Sequence, residues 1–204
     1  MTATLESAPP ETVLPAAHRF TGTEYLKMYE SGIFAPDQRS QLIRGDVYFM
    51  SAMGAEHYKA IKVLTRLLSE RYATLAFVIP QCPIIVWDDS QPEPDFALVH
   101  LESTAHPAPA RDVLLAVEVS DSSLKFDRAV KLPEYARSGI AETWILNLKE
   151  RQLEIYRQPS GEKYLQLQIL EGTTPATPLF APDTALEWWT ALEAATQEDP
   201  SANG

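Results

Sequence analysis

A chain of 204 residues, 45% hydrophobic and 22% charged, suits one domain with a sizeable core. Its single cysteine, Cys82, excludes an intramolecular disulfide and any cysteine-built zinc cage, and fits a reduced, cytoplasmic setting. The net charge of −11 excludes a uniformly basic nucleic-acid-binding surface, so phosphate contacts would need locally gathered cations or charge borrowed from a metal.

Residues 1–19 lack the basic start and apolar core of a signal peptide and read as a disordered leader. No later run reaches the ~20 apolar residues of a membrane-spanning helix. Thr21, with Glu24 three residues on, predicts a capping box for a helix that carries Tyr25, Met28 and Tyr29 on one face and ends at Gly32 and Pro36. Gly45-Asp46 between two short apolar runs predicts a hairpin over residues 42–50. From Glu56 to Tyr72, Ile61, Leu64, Leu67 and Leu68 recur at helical spacing among lysines and arginines. Strands are predicted from Leu75, Pro83 and Asp95, the last two separated by the turn cluster Asp88 to Pro92.

Residues 113–120, VLLAVEVS, read as a central strand buried on both faces. A helix capped within Asp121 to Ser123 should run to about Arg137 and stop at Gly139, with Pro133 kinking it or marking a late start. Three further strands follow Thr143, then a short helical pattern around Trp188 and Trp189. Residues 196–204 read as a flexible tail. The order predicts one mixed α/β domain over residues 20–195.

Two carboxylates stand out. Asp95 opens a strand, where Asp is a poor residue, and Glu118 is the one charge in an apolar strand. A buried carboxylate needs a cation, a proton or hydrogen bonds. Two of them at neighbouring strand ends suit Mg²⁺ or Mn²⁺, while either alone could be a hydrogen-bonded structural residue.

The runs QPEPDFALVH and LLAVEVSDSSLKFDRAVKLPEYARSGIAETWILNLKERQLEIYRQP resemble the Uma2 family, also called DUF820, of restriction-endonuclease-like proteins in the PD-(D/E)XK superfamily. The resemblance implies a restriction-endonuclease-like mixed β-sheet flanked by α-helices. Pro94-Asp95 matches the Pro-Asp motif, and Glu118-Val119-Ser120 stands where the superfamily has (D/E)-X-K. Asp95, Glu118 and the Val119 carbonyl are thereby implied as metal ligands. Ser120 replaces the usual lysine, and Lys131 is the candidate to supply the ammonium, making Asp95, Glu118 and Lys131 the implied catalytic set. Gln41 replaces a glutamate common in the family. Glu56 or His57, at the start of the long helix, could compensate for it, and His57 also matches a histidine typical of the family. Tyr135, one turn after Lys131, reads mainly as packing support.

Three functions compete. The first is a Mg²⁺- or Mn²⁺-dependent endonuclease acting on DNA, expected as a homodimer with apolar surface after Thr143 and at Trp188-Trp189. The second is a catalytically inactive binding or assembly module. The third is a metal-dependent hydrolase of a small substrate. Clustering of at least three of Arg111, Lys125, Arg128, Lys131 and Arg137 around Glu118 would favour nucleic acid, and scattering would favour the module or the small substrate.

Overall fold

The computed structural model describes residues 16–35 and 37–197. Residues 1–15 of the predicted leader, the helix-ending Pro36 and residues 198–204 of the predicted tail lie outside them.

The first helix, α1 (Gly22–Glu30), begins with the predicted capping box: the Glu24 N–H reaches the Thr21 hydroxyl at 3.3 Å, and Thr21 N–H donates to the Glu24 carboxylate at 2.8 Å. A hairpin follows, β1 (Ser40–Ile43) and β2 (Asp46–Phe49). Its turn lies one residue before the expected pair, at Arg44-Gly45, both with positive φ (51° and 74°), the conformation that tight hairpins require. The long helix α2 (Ala55–Tyr72) buries Ile61, Leu64 and Leu68. Three short strands come next: β3 (Phe77–Pro80), β4 (Ile84–Ile85) and β5 (Phe96–Val99). The segment from Pro83 is thus much shorter as a strand than expected. It pairs only with β6 (Ala108–Pro109), in parallel.

After a 3₁₀ turn at Ala110–Asp112 comes β7 (Val113–Ser120), whose bounds match the predicted central strand. The helix expected over 121–137 is broken into α3 (Leu124–Phe126), a π-helical turn (Asp127–Lys131) and α4 (Leu132–Arg137). Pro133 accounts for the break. It has no N–H to complete an α-helical bond back to the carbonyl of residue 129, so the helix widens before it and restarts with proline in its first turn. The chain ends in β8 (Glu142–Asn147), β9 (Gln152–Ser160), β10 (Lys163–Glu171) and α5 (Trp188–Gln197).

Six strands form the main sheet in the order β10-β9-β8-β7-β5-β3. Only β7 and β8 run parallel, joined by the α3–α4 crossover that such a pair requires. One face packs Leu115, Val117, Val119, Trp144 and Leu153 under α2 and α5. The opposite face packs Ala97, Ala116 and Ile140 with Tyr135 of α4. Glu134 of α4 is buried and paired with Arg44 at 2.6 Å and Arg137 at 2.7 Å, which ties the β1–β2 hairpin to α4. The result is a single mixed α/β domain with helices on both faces of the sheet.

Candidate active site

Register brings the two carboxylates together. Phe96 of β5 lies opposite Val117 of β7, so Asp95, one step outside the ladder, falls beside Glu118. Ala97 and Ala116 face Tyr135, and by the two-residue period of a strand Asp95 and Glu118 project to that same side. Both are buried.

Each carboxylate is held by its own donors. One Asp95 oxygen shares a 2.9 Å hydrogen bond with His57 Nε2, from the first turn of α2, and the other accepts the Val119 N–H at 2.8 Å. Glu118 accepts from Lys131 Nζ at 2.9 Å on one oxygen and from the Tyr135 hydroxyl at 2.6 Å on the other. Lys131 also donates to the Glu93 carbonyl at 2.8 Å and lies 3.9 Å from Asp127. Asp127 in turn accepts from the hydroxyls of Ser120 (2.7 Å) and Ser123 (2.6 Å). Lys131 closes the π turn and Tyr135 follows one helical turn later, so both reach the same carboxylate.

These contacts set the electrostatics. Burial raises Glu118 from the usual 4.5 to about 8, against the attraction of Lys131 and with the charges of Asp127 and Asp95 adding to the rise. Burial alone would lower Lys131. The surrounding Glu118, Asp127 and Asp95 charges outweigh it and hold the ammonium above its ordinary range. Tyr135 is pushed well above the usual phenol range by burial and by Glu118, so its hydroxyl stays a donor.

The donor set fits a divalent cation. When Asp95, Glu118 and Asp127 are all ionised, Lys131 balances only one of three charges, and the surplus matches M²⁺. Each oxygen of Asp95 and Glu118 carries one donor and keeps a second lone pair. Among the described residues no group of three or more His, Cys, Asp or Glu is arranged to hold a metal ion, so the protein's share of a site would be these two carboxylates. Two carboxylates with coordination left for water and phosphate is the pattern typical of Mg²⁺.

Other expected residues are placed differently. Gln41 lies in β1, where its carbonyl accepts the Glu93 N–H at 3.2 Å. It braces the chain leading to Pro94-Asp95, and among the described residues no hydrogen bond joins it to either carboxylate. Tyr135, expected as packing, is a direct hydrogen-bond donor to Glu118, a role its spacing from Lys131 hinted at. Asp127 stands four residues before Lys131, the spacing that pairs two side chains along a helix, whereas nothing local in the sequence marks the Glu93 carbonyl as facing Lys131. Arg111 turns to Asp112 (3.7 Å), Arg128 to Glu154 (2.9 Å) and Arg137 to Glu134, so the expected cationic cluster does not form from them.

Cations gather elsewhere instead. A groove of about 850 Å³ between α2 and α5 is lined by Lys59, Lys62, Arg66, Lys149 and Trp189. A second of about 500 Å³ adjoins it through Asp121 and Lys149 and carries Lys125. Among the described residues, Lys62, Arg66, Lys125 and Lys149 make no ion pair. Glu56, next to His57 in the chain, and Asp121, next to Ser120, also line the first groove.

The Uma2 family, described as "putative restriction endonuclease", matches residues 23–192, from α1 into α5. The chain belongs to the Uma2 family. Among solved structures it is similar to a crystal structure from Anabaena variabilis, described as "a putative nuclease belonging to DUF820". That protein is 14% identical, with 86% of this chain and 98% of that chain covered and a TM-score of 0.67, which shows a shared fold. No curated protein matches. The Uma2 match spans Asp95, Glu118, Lys131 and the α2 wall of the cationic groove.

Proposed function

We propose that this Uma2 protein is an endonuclease that hydrolyses DNA phosphodiester bonds with Mg²⁺ or Mn²⁺. The observation that carries the reading is the buried Asp95–Glu118–Lys131 constellation. In a chain of net charge −11, Lys62, Arg66 and Lys149, which make no ion pair among the described residues, line the α2–α5 groove, and Lys125 lines the adjoining one. Asp95, Glu118 and the Val119 carbonyl would hold the metal. When bound, it supplies a water of lowered pKa and positive charge for the phosphate. His57 and the Val119 N–H fix the Asp95 carboxylate, and Tyr135 fixes that of Glu118. Lys131, delivered from the helix where the strand carries Ser120, holds a proton that can orient the attacking water or neutralise the phosphate. The groove cations would track the backbone. The working unit is read as a cytoplasmic homodimer; no helix among the described residues is long and apolar enough to cross a membrane.

Two observations favour a second reading, a non-catalytic binding module: both Glu118 oxygens are already satisfied within the chain, and Arg111, Arg128 and Arg137 scatter to carboxylates away from Glu118. A cleavage assay on plasmid and single-stranded DNA with Mg²⁺ or Mn²⁺ separates the two. The nuclease reading expects metal-dependent cleavage that falls at least about 100-fold in Asp95→Ala, the scale at which even supporting contacts to a metal ligand act. Cleavage unchanged in that variant would overturn the site assignment. No cleavage and no metal binding by calorimetry would favour the module.

A further inference from the structure

The six-stranded sheet ends in two unlike edges. At one, β3 is four residues long and closes on Pro80, a blunted edge. At the other, β10 runs nine residues with β9 as its one sheet neighbour and contains no proline. Leu165, Leu167 and Ile169 alternate along it and are 71%, 52% and 49% exposed. Leu167 and Ile169, opposite Tyr156 and Glu154 of β9, share one face, while the ladder is interrupted at Leu165, opposite Gln158 with its positive φ of 61°. The charges of β10 stand only at its ends, Lys163 and Glu171. An edge this long and apolar is a template for another strand.

The segment KYLQLQILE is complementary to itself. Run antiparallel against a copy of itself about Leu167, it sets Lys163 opposite Glu171 at both ends. Leu167 meets Leu167 on the axis, and Gln166 meets Gln168 on the other face. A one-residue slip sets leucines against glutamines and separates the ion pairs. Lys163 has no ion pair within the described residues and is available for this one. The register that matches charges also sets Leu167 against Leu167, as a two-fold axis at that residue requires.

We infer that the free edge of β10 docks a second copy of this chain, antiparallel about a two-fold axis at Leu167, so that one sheet runs through both subunits. The Trp188-Trp189 segment is not this surface: Trp188 is buried in the core and Trp189 packs against it. The apolar stripe supplies the contact area, and the end charges set the register.

The test is sedimentation velocity on the full chain at micromolar concentration. The wild type should run as a dimer. Leu167→Glu, which places like charges on the axis, should run as a monomer that still unfolds cooperatively, because the side chain is exposed. Lys163→Glu should weaken the dimer at least several-fold, and adding Glu171→Lys should restore it. In a Cys82→Ser background, Leu167→Cys should form disulfide-linked dimers on mild oxidation, since residues directly opposite in an antiparallel pair lie ~4.5–5.5 Å apart at Cα, within disulfide reach. A wild type that is monomeric throughout, or a dimer that ignores both charge variants and gives no cross-link, would overturn the assignment.

Discussion

Glu118 carries the sharpest contradiction at the level of single residues. It is a carboxylate in an apolar strand, with a phenol and an ammonium as its only side-chain donors, and burial lifts it to about 8. A carboxyl raised in the folded state binds its proton more tightly folded than unfolded. The stabilisation this gives is complete below about 4.5 and is lost as pH rises through about 8. In chelator, the thermal midpoint should therefore fall between pH 5 and 8, and Glu118→Gln should flatten that fall. Millimolar Mg²⁺ should raise the midpoint more at pH 8 than at pH 6, because cation and proton compete for the same oxygens, and the rise should vanish in Glu118→Gln. Scanning calorimetry across pH decides it: an identical slope in wild type and variant would remove Glu118 as the titrating group.

At the scale of elements, what could be read from the sequence divides by the range of the forces involved. The capping box at Thr21, the α2 periodicity and the apolar run of β7 are local patterns, and each element forms close to where they place it. Pro133 announced an irregular helix, yet whether it would bend, start late or widen into a π turn depends on how Asp127 and Lys131 pack against β7, which no local pattern contains. Asp95 and Glu118 were visible as misplaced charges, whereas their donors come from α2, α4 and the π turn, elements distant in sequence. The cations mislead for the same reason. Arg128 and Arg137, close to Glu118 in sequence, are consumed by Glu154 and Glu134, while Lys62 and Arg66, successive outward positions of α2, remain open. If these two contact phosphate, Lys62→Ala and Arg66→Ala should each weaken DNA binding across all sequences and lower the salt dependence by about one unit of slope. Titrations at several salt concentrations would show it. An unchanged slope in both would remove the α2 groove from the binding path, leaving the carboxylate site intact.

For the whole molecule, the arrangement of two subunits decides what kind of cut is possible. Glu118 lies on β7, the fourth strand from the β10 edge. In a dimer joined at that edge, seven strand steps separate the two copies of β7, roughly 34 Å at ~4.8 Å per step. Each step also rotates the sheet by roughly 20°, so the accumulated twist turns one site well away from the other. Two sites so separated and so turned cannot address the two strands of a duplex at one position. Pairing would then serve stability or DNA capture, and each subunit would cut one strand on its own. On supercoiled plasmid the expected course is a nicked circle that accumulates first, with linear DNA arising later from independent events. In a single-turnover time course resolved by gel, the monomeric Leu167→Glu variant should nick with a rate constant per site within about twofold of the wild type, because additive behaviour is expected of distant, uncoupled positions. Direct conversion of supercoiled to linear DNA, lost in Leu167→Glu, would mean that the two sites act in concert and that the subunits are joined by some other face.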